Sequence, residues 1–239
     1  MSGLSISVVT VTYNASAALP ALIESLRMQT DLQFEWVVVD GGSSDSTVDL
    51  IKASGIRALR LISEPDYGIY DALNKAVRLV HTDFYLVLGA DDTLAPAAIQ
   101  NFRAVAQQAD FIAASVRTSQ GQLLEPMTGS VWKHGGNAIV SSHAVGTLIR
   151  TDLHRLIGFY SNRFPNCADM FFVLTAVTRH RVRVVKADFV AGTFGTTGVS
   201  SRDRLCSLSD AFRIQIELGA NRWQQLGLYI WRLARALLQ

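Results

Sequence analysis

Phe84-Tyr85-Leu86-Val87-Leu88-Gly89-Ala90-Asp91-Asp92 is the stretch that decides the fold. An apolar run that stops at a glycine and two adjacent aspartates predicts a buried parallel strand delivering two carboxylates to its C-terminal end. In open α/β sheets that edge is where ligands bind. Neighbouring carboxylates repel one another and are costly to desolvate, so they call for a cation or a strong donor network. A hard divalent ion carrying a substrate phosphate meets that need. Asp is also a favoured helix cap, so a competing reading makes the pair the N-cap of a helix beginning near Pro96.

Outward from this strand, short apolar runs alternate with helical patterns. Residues 6–11 read as a strand, after which Leu19, Leu22, Ile23 and Leu26 fall at i, i+3, i+4 and i+7 on one helix face. Residues 36–39 form a second strand closed by Asp40-Gly41-Gly42, and Ser46 with Asp49 supplies a capping-box variant for a short helix. A weaker strand is expected over 58–62, with helices over 70–80 and 96–108. Repeated βα units of this length predict an α/β fold with a mostly parallel sheet and right-handed crossovers. Beyond Gly121 the pattern loosens. Residues 120–136 suit a hairpin or an active-site loop, 144–150 a strand, 170–178 a helix and 182–190 one or two strands. The Gly-, Ser- and Thr-rich stretch 191–204 predicts a mobile loop.

Bulk properties narrow the function classes. A chain of 239 residues that is 49% hydrophobic and 18% charged has ample core and no mark of disorder. A net charge of +2, without a basic stretch interleaved with aromatics, argues against nucleic-acid binding. Cys167 and Cys206 stand in no ligand-like spacing, which predicts free thiols in a reducing compartment. The start, Met1-Ser2-Gly3, runs straight into the first strand pattern, and no run of 18 apolar residues occurs. Together these predict a cytoplasmic protein.

The C-terminal residues are of another kind. On a helical wheel Trp223, Leu226, Ile230, Leu233 and Leu237 share a face that Trp231 and Leu238 broaden, with Gln224, Gln225, Arg232, Arg235 and Gln239 mostly opposite. Such an amphipathic helix suits the surface of an anionic membrane. It equally suits docking on the domain or on a second subunit.

Four stretches carry a resemblance to a known family. They are residues 9–14 (VTVTYN), 37–45 (VVVDGGSSD), 63–75 (SEPDYGIYDALNK) and 89–92 (GADD). In this order and spacing the chain resembles family 2 glycosyltransferases of the GT-A fold, densely over residues 5 to 95 and weakly beyond. The third stretch is similar to enzymes of bacterial exopolysaccharide, capsule or colanic-acid assembly. The resemblance implies a Rossmann-like, mostly parallel sheet flanked by helices, to which the wheel adds a C-terminal amphipathic helix. It implies a GT-A domain over residues 1–205, with a nucleotide-binding half (1–110) and an acceptor half (111–205), followed by a helical segment at 206–239. The activity implied is metal-dependent, inverting sugar transfer from a nucleotide-sugar donor, UDP-sugar favoured, to a glycan or lipid-linked acceptor. Mn²⁺ or Mg²⁺ is the implied cofactor, and the implied place is the cytoplasmic face of a membrane.

The resemblance also assigns roles residue by residue. Asp40 reads the base, where a turn aspartate bonding its own backbone is the alternative. Tyr13 stacks on the base, while Asp66 and Asn74 contact the nucleotide or a network supporting it, with Lys75 nearby. Asp92 ligates the metal, and Asp91 faces the ribose or the metal's water shell. Asp169 matches the position of the general base that inversion requires, although Ala168 stands where a Glu is common. His143, Ser200 and Arg202 form a second tier, the latter two in a loop suited to close over a diphosphate. A sugar-1-phosphate nucleotidyltransferase or an NAD-linked oxidoreductase is disfavoured, because Thr12-Tyr13-Asn14-Ala15-Ser16 after the first strand lacks their glycine-rich loop. The remaining alternative is a non-catalytic domain that binds a sugar nucleotide or a partner.

Overall fold

Alternation of side chains along the strands builds two cores, one on each face of a central sheet. Strands β1 (Ile6–Thr12), β2 (Phe34–Asp40), β3 (Leu59–Ser63) and β4 (Phe84–Leu88) lie parallel in the order β3-β2-β1-β4. Val8, Trp36, Val38 and Leu86 face one side and pack with α1 (Leu19–Arg27), α2 (Thr47–Lys52) and α4 (Ala98–Val105). Val9, Val37, Val39 and Tyr85 face the other and pack with α3 (Ile69–Leu79) and α7 (Ala168–Arg179). The buried indole of Trp36 keeps its N–H satisfied by donating to Thr10 Oγ1 at 3.0 Å. These relations come from a computed structural model, which describes residues 4–127, 129–141, 143–195 and 204–237.

The second half completes the sheet in mixed sense. The order continues β4-β8-β6-β9-β5, with β5 at Thr93–Leu94, β6 at Phe111–Thr118, β8 at Thr147–Arg150 and β9 at Val184–Phe194. A short β7 (Leu123–Leu124) forms a hairpin with β6, which settles the expected hairpin within 120–136. Helices α5 (Val131–His134) and α6 (Leu153–Ile157) fill connections, and α8 (Arg204–Glu217) and α9 (Arg222–Leu237) end the chain. The parallel ladders are the longer ones, so the sheet is mostly parallel, with β8 antiparallel to both β4 and β6. The result is an α/β domain flanked by helices and carrying a C-terminal helix.

Several sequence expectations shift. Strand β6 and helix α6 are unanticipated: Phe-Ile-Ala-Ala-Ser-Val is too rich in small residues to announce a strand, although residues 111–114 are fully buried. The expected strand over 144–150 is a 3₁₀ turn, Ala144–Gly146, followed by the four residues of β8. The one or two strands expected over 182–190 are the single long β9. Ser46 occupies the N-cap position of α2 without a side-chain cap bond, because the Asp45 carboxylate accepts from Thr47 N–H at 3.0 Å instead. The mobile loop expected over 191–204 begins as β9, and residues 196–203 lie outside the described residues.

Topology places the carboxylate pair. The chain leaves β1 toward β2 and β3, then returns to set β4 on the opposite side of β1. The C-terminal ends of β1 and β4 therefore flank a topological switch point, where the connecting loops diverge and open a crevice. β5 separates Asp91 and Asp92 from α4, whose N-cap position is Ala97. The capping alternative for the two aspartates therefore fails.

Candidate active site

The loops after β1 and β2 are bolted together at the switch point. Asn14 adopts a left-handed backbone (φ 47°), which Asn tolerates better than most side chains, and its Oδ1 accepts from Ser44 N–H at 2.9 Å. Asn14 N–H donates in turn to Ser43 Oγ at 2.7 Å. Asp40 is fully buried beneath them. One of its oxygens accepts from Thr12 Oγ1 and Ser43 Oγ, the other from Gly42 N–H, Ser43 N–H and Ser63 Oγ. Desolvation alone would raise its pKa, but the donors of Ser43, Ser63 and Thr12 outweigh it and hold the carboxyl below its usual value. These bonds are the ones the turn-holding alternative expects of Asp40, and they engage both its oxygens.

Above Asp40 the exposed ring of Tyr13 and the half-buried Asp66 close over Gly41. A Cβ at position 41 would lie 2.6 Å from Asp66 Oδ2 and 3.4 Å from the Tyr13 ring, so glycine is what lets the two approach. Asp66 Oδ1 accepts from Gly68 N–H at 2.8 Å. Lys75 donates to the Pro65 carbonyl at 2.8 Å and pairs with Glu64 at 2.9 Å, bracing this segment.

Asp92 is 1% exposed, and both its oxygens are held by backbone: Oδ2 by Gly89 N–H at 2.6 Å and Oδ1 by Gly195 N–H at 3.0 Å. Gly195 follows β9, which joins this corner because β5 pairs with β9. A Cβ on Gly195 would meet Asp91 Oδ2 at 2.2 Å, so only glycine permits the approach. His143 stacks on Phe194 (ring centroids 4.4 Å apart), with Nδ1 3.9 Å from Asp92 Oδ2. Burial pushes the Asp92 pKa up and Asp91 adds to the rise, against the lowering by His143 and the two backbone N–H groups.

Across the cleft, Asp169 stands exposed in the first turn of α7 and accepts from the Tyr70 hydroxyl at 2.8 Å. Burial and the Asp169 charge raise the Tyr70 pKa far above a phenol's usual value, so Tyr70 remains a donor. Asn74 is buried one turn further along α3. Its amide nitrogen donates to Tyr160 C=O at 2.8 Å and its oxygen accepts from Tyr160 N–H at 2.9 Å. Of the two expectations for Asn74, ligand contact or support, its geometry is that of support. Tyr160 in turn bonds Tyr85, which bonds His154.

One cleft of about 670 Å³ joins these parts. Asp91, Asp92, His143, Tyr70, Asp169 and Arg232 all line it, with apolar walls from β4, α3 and α7. Tyr13, Asp40, Asp66 and Asn74 are not among its lining residues. Ser200 and Arg202 lie outside the described residues. Tyr70, Gly195 and Arg232 are site residues that sequence reasoning missed. Tyr70 lies inside the quoted 63–75 stretch, but its partner is 99 residues away. A hollow of about 590 Å³ near Asp83 and Arg155 lies at the opposite sheet edge, away from these carboxylates.

Among the described residues no group of three or more His, Cys, Asp or Glu side chains converges as a metal cage. Adjacent carboxylates at a strand end, one of them buried and raised in pKa, nonetheless fit a cation that takes the rest of its shell from a diphosphate and water. Among the described residues, too, no helix is long and apolar enough to cross a membrane.

Comparison with known proteins agrees with this geometry. The family model described as glycosyl transferase family 2 matches residues 7–159, well over half of the chain. Over 91 residues the chain is 43% identical to a PGL/p-HBAD biosynthesis glycosyltransferase of Mycobacterium bovis, covering 37% of this chain and 36% of that protein. The match thus spans about a third of the length of such curated relatives. Over 206 residues it is 27% identical to the Bacillus subtilis protein named uncharacterized glycosyltransferase YwdF, covering 82% and 76% of the two chains. In fold it is similar to Staphylococcus aureus TarS 1-349 (TM-score 0.70, 18% identity, 95% of this chain and 69% of that one). It is likewise similar to the mannosyltransferase PcManGT of Pyrobaculum calidifontis, solved with GDP-Man and Mn²⁺ (TM-score 0.67, 16% identity, 99% and 76%). With its motifs in order along β1 to β4 and its carboxylates at the switch point, the chain belongs to glycosyl transferase family 2, a family of glycosyltransferase enzymes.

Proposed function

We propose that this chain is an inverting glycosyltransferase of the GT-A fold, moving a sugar from a nucleotide-sugar donor to a hydroxyl of a glycan or lipid-linked acceptor. The observation that carries this reading is one cleft with Asp91 and Asp92 on one wall and Asp169 on the other. Residues 1–110 form the nucleotide half, residues 111–205 the acceptor half, and 206–239 a helical extension. Tyr13 and Asp66 flank the base over Gly41, with Asp40 holding the turn beneath them and Asn74 fixing the helix behind. Neighbours solved with UDP, UDP-GlcNAc or GDP-Man with Mn²⁺ support a nucleotide-sugar donor, with UDP favoured. The mycobacterial relative, named a PGL/p-HBAD biosynthesis glycosyltransferase, supports a role in polysaccharide biosynthesis, for which we propose the cytoplasmic face of a membrane as the place.

Asp91 and Asp92 would hold Mn²⁺ or Mg²⁺, which when bound offsets the charge gathering on the departing diphosphate. Gly89 and Gly195 N–H groups fix Asp92, so little reorganisation accompanies donor binding. Asp169 takes the proton of the acceptor hydroxyl as its oxygen bonds to the anomeric carbon and the bond from that carbon to the diphosphate oxygen breaks. Tyr70 orients Asp169 by its hydrogen bond. His143 offers a ring nitrogen beside Asp92, and Ser200 and Arg202 are the residues proposed to cover the diphosphate.

The test is release of nucleoside diphosphate from a panel of UDP- and GDP-sugars with Mn²⁺ and a lipid-linked glycan extract. Turnover of one donor class, abolished in Asp169→Asn with donor affinity intact, is expected. Transfer that survives in Asp169→Asn at saturating donor would overturn the base assignment. Donor binding without any turnover would favour the non-catalytic alternative.

A further inference from the structure

Helix α9 turns two polar residues toward the domain: Gln225 is 1% exposed and donates to Trp132 C=O at 2.8 Å, and Arg232 donates to Lys133 C=O. Tyr229 packs its ring on Phe212 of α8 and shares a hydrogen bond with Ser209. Four large apolar residues turn out, with Trp223 70%, Leu226 38%, Ile230 57% and Trp231 58% exposed. At 3.6 residues per turn, 223, 226, 230, 231 and 234 fall on one outward arc about 140° wide. Arg222 and Arg235 border that arc on its two sides, their guanidinium groups 5.5 and 5.8 Å from the ring centroids of Trp223 and Trp231.

We propose that this outward face of α9 seats the protein on an anionic lipid surface. Packing against another protein is one way to remove these four side chains from solvent. Charge decides against a second copy, because Arg222 and Arg235 flank this face and residues 218–239 carry no Asp or Glu. Self-pairing would set cation beside cation with no acid to answer it. An anionic headgroup layer answers both features: Trp rings favour that depth, and Arg side chains bordering the apolar arc reach back to phosphates. The inner side of the same helix supplies Arg232 to the cleft. Since a helix is only about 10–12 Å across, the corner of the cleft would sit within one helix width of the bilayer. A lipid-linked acceptor is then presented at the cleft, although the membrane seat itself does not depend on sugar transfer.

The experiment is co-sedimentation of the full chain with phosphatidylcholine vesicles containing phosphatidylglycerol, and with phosphatidylcholine alone, at low and high salt. Binding about tenfold stronger to the anionic vesicles, weakened by salt, is expected. Trp223→Ser/Ile230→Ser/Trp231→Ser should abolish it while leaving thermal unfolding and donor binding unchanged, because all three side chains are largely exposed. Arg222→Gln/Arg235→Gln, a second variant that keeps the apolar face, should remove the preference for anionic lipid. Three results would overturn the proposal: no vesicle binding, binding indifferent to either variant, or a dimer in analytical ultracentrifugation that the triple variant dissolves.

Discussion

Asp92 and Asp169 face the same cleft and are held in opposite ways. Asp92 is buried, and backbone N–H groups from the ends of two strands fix both its oxygens. Asp169 is exposed at a helix start and is held by one phenol hydroxyl. A carboxylate fixed by backbone suits a standing electrostatic task, since its donors cannot rotate away. A carboxylate open to solvent and steered by a single side chain suits proton exchange, because it can take up a proton and release it. The roles proposed for the two acids thus match how each is anchored.

The largest effect that would break this division is at the exposed acid. Asp169→Asn is expected to lower transfer about 10³-fold, with donor affinity unchanged in a calorimetric titration. A parallel loss of donor affinity would assign both acids to one task.

Next in size is a pH effect in the network behind Asp169. His154 packs under Tyr85 and Tyr160, and burial lowers its pKa from 6.5 to about 4. The folded imidazole stays neutral where the unfolded one charges. The stability this contributes is complete above pH 6.5 and is lost as pH falls toward about 4, on the order of 3 kcal/mol in all. Denaturant unfolding across that window should show a steeper loss for the wild type than for His154→Gln. Equal slopes would mean that His154 is protonated in the folded state.

Smaller effects sharpen the contrast. Asn74→Ala leaves the buried N–H and C=O of Tyr160 without their partner and is expected to lower unfolding free energy by about 2 kcal/mol. Tyr70→Phe removes one hydrogen bond to Asp169 and is expected to slow transfer about tenfold at unchanged donor affinity. A Tyr70→Phe enzyme at full rate would show that Asp169 needs no steering.

The backbone-anchored half of the cleft was legible in the sequence, and the other half was not. Strands β1, β2 and β4 are dense apolar runs ending in Thr12, Asp40 and Gly89, so the parallel core and its acidic edge follow from local pattern. The second half depends on pairings of high sequence separation, such as β6 with β9, and on an Ala-rich strand with little local signature. Tyr70 meets Asp169 only because α3 and α7 share one face of the sheet, and Gly195 meets Asp92 only because β9 returns beside β5. The wheel of α9 showed its two faces but not which one the domain would take. Gln225 and Arg232 settle that by finding backbone carbonyls on α5.

The most direct test of the Asp91–Asp92 pair is thermal unfolding against UDP- and GDP-sugars, each with Mn²⁺ and with EDTA, in wild type and Asp92→Asn. Donor at about 100 times its dissociation constant should raise the midpoint by roughly 5–10 °C. That rise should appear with one nucleotide class, require Mn²⁺ and vanish in Asp92→Asn. A rise of equal size in EDTA and in Asp92→Asn would contradict a cation site at this strand end.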